Sequence, residues 1–101
     1  PKISYRNQEA VEAYLAHHPE IEGFIEAAYP ALAKSLGGSV DIVLEVVIDP
    51  DETAYQQLVA WVQSTDSVAE GLKKLDCFED EWFLDHMHLV DDTFNFNIET
   101  K

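Results

Sequence analysis

The stretch 40–48, Val-Asp-Ile-Val-Leu-Glu-Val-Val-Ile, leaves this chain few ways to fold. Its even positions, Val40, Ile42, Leu44, Val46 and Ile48, are all apolar. Its odd positions mix acid and valine, in Asp41, Val43, Glu45 and Val47. Side chains alternate across a strand, so the pattern predicts a strand with one face wholly buried and the other partly wet. Burial of the five even side chains supplies on the order of 10 kcal/mol, an upper bound because the unfolded chain already hides some surface. No other short segment offers as much, and the remaining elements read as cover for this strand.

Two helices precede it. Asn7 caps a helix over 8–17 that carries Val11, Tyr14 and Leu15 at helical spacing. His18-Pro19 ends that helix and Pro19 opens the next, whose stripe runs through Ile21, Phe24, Ile25, Ala28, Leu32 and Leu36. Pro30 falls inside the stripe and predicts a kink or a split, and Gly37-Gly38 stop the helix. After a turn at 49–52, a second strand is expected over 56–63, with Leu58, Ala60 and Val62 on one face and Val59 and Trp61 on the other. Ser67-Val68-Ala69-Glu70 is a capping box that opens a third helix, expected to end near Asp76 and to be followed by a short turn over 79–84. Phe94, Phe96 and Ile98 alternate with Asn95, Asn97 and Glu99 in a last half-buried strand.

The expected order is α-α-β-β-α-β in one acidic α+β domain over 1–101. A hairpin followed by a right-handed helical crossover places the last strand parallel to the second and beside the first. The expectation is a two-layer fold with a three-stranded, mostly antiparallel sheet of order 2-1-3.

Twenty acids against six Lys and Arg give a net charge of −14. That balance repels nucleic-acid phosphates and anionic membranes and suits a basic protein partner, a divalent cation or simple solubility. A single cysteine, Cys77, no apolar run of membrane-spanning length and no signal-peptide core give a cytoplasmic expectation.

Three surfaces could carry function. From Leu75 to Thr100 there is no Lys or Arg, and Glu79, Asp80, Glu81 and Asp85 cluster around Trp82. This is a docking face for a basic partner or a solvated wall, and aromatics such as Phe78 and Trp82 at helical spacing also read as core. The second face of the sheet gathers Val43, Val47, Val59 and Trp61, flanked by Asn95 and Asn97. It is exposed, and free for homodimerisation or a ligand, only if every helix packs on the even face. His86 and His88, with Asp91 and Asp92 close by, would share one side of an extended segment and offer a metal site.

Other chemistries fail on inspection. A calcium loop starting at Asp49 has Ala54 where glycine is needed and Ala60 where glutamate is needed. Acids surround Cys77, and there is no phosphate loop, nucleophile elbow or dinucleotide fingerprint. The sequence therefore implies no cofactor and argues against an enzyme. Glu45 to Glu52, Phe78 to Asp85 and Phe94 to Glu99 resemble segments of small bacterial proteins without an assigned activity, a likeness that implies a bacterial cytosolic origin and no site residues. The reading is a non-enzymatic, antitoxin-like or regulatory module for a basic partner, with a small-molecule or metal-binding domain as the alternative.

Overall fold

The computed structural model describes residues 2–38, 40–48, 50–51, 56–90 and 93–100. Strand β1 (Lys2–Arg6) leads into helices α1 (Gln8–His17) and α2 (Glu20–Leu36), then strands β2 (Asp41–Ile48) and β3 (Gln56–Ser64). Helix α3 (Val68–Phe78) follows, and β4 (Phe94–Thr100) closes the order.

Two N-caps and one C-cap form where the sequence places them, whereas Pro19 precedes α2 as its N-cap residue with no side-chain cap bond. Asn7 adopts a left-handed backbone, φ 58°, and its side chain accepts from Ala10 N at 3.4 Å. Ser67 Oγ accepts from Glu70 N at 3.3 Å, and Gly37 at φ 86° ends α2. Pro30 neither splits nor ends α2, which runs unbroken through it.

The sheet differs from the expectation. It has four strands in the order β1-β2-β3-β4, with β1 and β2 parallel, β2 and β3 antiparallel, and β3 and β4 parallel. The three-stranded, mostly antiparallel 2-1-3 arrangement is thus corrected: the sheet is four-stranded and mixed, with two parallel pairs and one antiparallel. Lys2–Arg6 is a strand, and it occupies the edge of β2 that the last strand was expected to take. The last strand is parallel to its predecessor, as expected, but lies directly beside it.

This order bears on chirality. All three long helices pack on the even face, where Ile42, Leu44, Leu58, Ala60, Val62, Phe94 and Phe96 form one buried cluster with Val11, Phe24, Leu32, Leu75 and Phe78. Because β2 and β3 are antiparallel, two crossovers between adjacent strands on the same face of the sheet must have opposite hands. One of the two is therefore left-handed, against the usual preference.

The helical segment after α3 is longer than the sequence implies. α3 continues into a π turn (Glu79–Phe83), a single α turn (Leu84–His86) and a 3-10 turn (Met87–Leu89). Leu75, Phe78 and Phe83 are buried whereas Trp82 is only half-buried. The five-residue step from Phe78 to Phe83 is what a π turn accommodates, since it inserts one residue into the helical register. Phe83 thereby reaches Phe24, Phe78 and Phe96.

Candidate functional site

With every helix on the even face, the odd face of the sheet is open. Val43 and Trp61 are half-buried there, Val47 is exposed, and Asn95 and Asn97 project from β4. Val59 lies on this face and is nevertheless buried, without belonging to the core cluster. A polar lattice laces this surface across all four strands. Trp61 Nε1 donates to Glu45 Oε1 at 2.8 Å, and Arg6 Nη1 donates to the same oxygen at 3.3 Å. Arg6 Nη2 then reaches Glu99 Oε1 at 2.9 Å and Oε2 at 3.2 Å, and Gln63 Nε2 donates to Glu99 Oε1 at 3.0 Å.

The Arg6–Glu99 contact joins the two edge strands. At roughly 4.8 Å per strand their backbones would stand about 14 Å apart in a flat sheet, beyond easy reach of two side chains that are also offset along the strands. The twist must therefore bring these corners together, making the open face concave along that diagonal. The hydrogen bond from Arg6, and then that from Gln63, hold the Glu99 carboxyl below the usual carboxylate range. Arg6 and Gln63 were not singled out from sequence. The signal available was the alternation Ile3-Ser4-Tyr5-Arg6, which marks a strand too short to stand out beside 40–48.

Asn95 and Asn97 act on the backbone of their own strand. Asn95 Oδ1 accepts from Phe96 N at 2.9 Å and Asn97 Oδ1 from Ile98 N at 2.8 Å. Thr93 O accepts from Leu58 N, so odd-numbered residues of β4 face β3 and the N–H groups of Phe96 and Ile98 point to the free edge. The two asparagines satisfy those donors and blunt this edge against strand addition.

The acidic residues fall on the outer wall of the helical segment 68–86. Asp76, Asp80, Glu81 and Asp85 are exposed and Glu79 is half-buried. Burial first, and then the charges of Asp76 and Asp80, push the Glu79 carboxyl up. Trp82 stacks on Phe78 at 5.9 Å and meets Phe24 edge-on at 5.2 Å, so its ring closes the rim of the core. Cys77 is exposed on α3.

His86 stacks on Trp82 at 4.1 Å and 9°, with its Nδ1 2.7 Å from Trp82 O, which makes Nδ1 the protonated nitrogen. His86 and His88 lie in successive helical turns and not on an extended segment, so a two-residue step sends their rings apart. Asp91 and Asp92 lie outside the described residues. Among the described residues no three His, Cys, Asp or Glu side chains gather as a metal would require. A hollow of about 660 Å³ lies beside Tyr14, His17 and His18. Tyr14 Oη donates to Thr93 O at 2.8 Å, and His17 Nδ1 is 2.9 Å from Ala13 O, so both polar groups are already engaged.

The two shifted carboxyls predict opposite pH effects. Glu79, raised in the fold, holds its proton more tightly there than when unfolded. Stability therefore increases as pH falls through its folded value towards its unfolded one. Glu99, lowered in the fold, contributes stability above its unfolded value that is lost as pH falls through the folded one. Through these two groups, urea midpoints should rise as pH falls from neutrality towards the ordinary glutamate value of about 4.3, and fall below it. Glu79→Gln should flatten the rise and gain roughly 0.2–0.5 kcal/mol at neutral pH, the size of like-charge relief on a helix. Glu99→Gln should flatten the fall. Parallel profiles for wild type and both variants would refute the assignment.

The site belongs to an open-faced α+β sandwich, a two-layer architecture with one sheet face left bare. No family model matches the chain, and neither a curated protein nor a solved structure is significantly similar to it. No helix among the described residues is long and apolar enough to cross a membrane.

Proposed function

We propose that this chain is a non-enzymatic interaction module of the cytoplasm, antitoxin-like in binding a basic protein partner through the outer wall of the segment 68–86. The observation that carries this reading is a juxtaposition. Glu79, Asp80, Glu81 and Asp85 form no ion pair among the described residues, and Leu84, Met87 and Leu89 are exposed at and just beyond the end of that segment. Unneutralised charge speeds encounter with a basic surface, and apolar side chains among the charges supply the area that holds it. The same charge disfavours nucleic acid as a partner.

The test is retention of a basic protein from native extract, released on a salt gradient and then rebound in purified form. Reversal of the wall by Glu79→Lys, Asp80→Lys and Glu81→Lys should lower the association rate about tenfold or more and shallow its salt dependence. Binding that is insensitive to both salt and reversal would refute the reading.

A further inference from the structure

We infer that the outer edge of β1 is a receptor for an extended segment of a partner protein, one that alternates apolar and cationic residues and adds to the sheet as a fifth strand. This rests on the interaction reading above and names a second surface for it. The two edges of the sheet are not equivalent. On β4 the outward N–H groups of Phe96 and Ile98 are satisfied by Asn95 and Asn97. On β1 no such device exists among the described residues, and no described strand lies outside it. An unblunted edge is a template for pairing with another chain.

The layer behind β1 is also unfinished. Ile3 and Tyr5 share the core face with Ile42 and Leu44, their register partners, yet they are 46% and 37% exposed. Two adjoining hollows of about 410 and 270 Å³ run along this edge and share Tyr5, Leu15 and Glu22. Their apolar floor is formed by Ile3, Tyr5, Leu15 and Ile25, and Glu12, Glu22 and Glu26 stand along the rim. A fifth strand would place every second side chain over that floor, because strand side chains alternate. The acidic rim selects Lys or Arg near them. Arg6 on β1 is turned to the opposite face and held by Glu45 and Glu99. A second copy of the chain is the poorer occupant, since each copy carries a charge of −14.

The experiment uses three labelled synthetic octapeptides: alternating Lys and Val, the same with every backbone nitrogen methylated, and alternating Lys and Gly. Anisotropy at low ionic strength should show the Lys-Val peptide binding. The other two should bind about tenfold or more weakly, having lost backbone donors or apolar contacts. Amide resonances of Ile3, Ser4 and Tyr5 should move on binding. Glu22→Lys with Glu26→Lys should weaken the Lys-Val peptide about tenfold, whereas reversal at Glu79, Asp80 and Glu81 should change it less than about twofold. Equal binding of the methylated peptide would overturn strand addition. Loss on reversal of the helical wall with retention by the Glu22/Glu26 variant would overturn this site and leave the proposed function standing. Failure of all three peptides, when a basic protein is still retained from extract, would do the same. A concentration-dependent dimer in sedimentation, broken by the peptide, would assign the edge to a second copy and overturn the inference.

Discussion

Phe78→Ala should destabilise the fold by about 3–5 kcal/mol, a large share of the roughly 5–15 kcal/mol that holds a domain together. Phe78 is fully buried at the end of α3. Its ring stacks on Trp82 at 5.9 Å and on Phe83 at 6.3 Å, and meets Phe96 edge-on at 5.0 Å. Phe24 touches Trp82, Phe83 and Phe94 from the α2 side, so the ring cluster joins two helices to β4. Truncation removes the transfer energy of a whole ring and leaves a cavity that stacked, rigid neighbours cannot close. At about 4–8 °C per kcal/mol for a domain near this size, the melting temperature should drop by about 12 °C or more. Tryptophan emission should shift to the red, because Trp82 loses the ring beneath it. A melting temperature within about 5 °C of wild type would show that the cluster is not the mechanical centre of the fold.

The extent to which this fold could be read in advance follows from where each signal resides. Helices α1 and α2 and strand β2 carry their evidence locally. Asn7 and Gly37 mark ends, and the periods of 3.6 and 2 run long enough to be counted. β1 does not, because five residues with Lys2 and Arg6 at the ends provide only Ile3 and Tyr5 for a pattern. Its existence is decided by the partner edge of β2, which is tertiary information. The order of the sheet depends on that same edge and on a crossover of the less common hand, so no local pattern specifies it. The π turn is a compromise between neighbours. A regular helix would bury Trp82 four residues after Phe78, and the core takes Phe83 instead. On the open face, the alternation placed Val43, Val47, Val59, Trp61, Asn95 and Asn97 together. The lattice that joins Arg6 to Glu99 spans 93 residues of sequence and is invisible along the chain.

Gly71→Val should cost about 2–3 kcal/mol, although glycine is the wrong residue for a helix interior on propensity alone. Gly71 is buried in α3, one turn after the capping serine, with its N–H bonded to Ser67 O at 2.9 Å. A Cβ added there would stand 3.0 Å from Ile98 Cγ2 and 3.4 Å from Ser64 Oγ. The helix approaches β4 and the end of β3 so closely at this point that there is no room for a side chain larger than a methyl group. The loss of about 1 kcal/mol of helix propensity is thus offset by contact of backbone with sheet. Alanine should come out near neutral, since it recovers that propensity and needs Ile98 to move by only a few tenths of an ångström. Valine adds two carbons with a restricted χ1, and the helix must lift from the strand. Urea denaturation of Gly71→Val in the wild-type and Ile98→Ala backgrounds tests the cause directly. If the clash with Ile98 is responsible, the valine should cost less by about 1 kcal/mol or more in the second background, the coupling expected of residues in contact. Equal costs in both would place the penalty within the helix and dissociate it from the approach to β4.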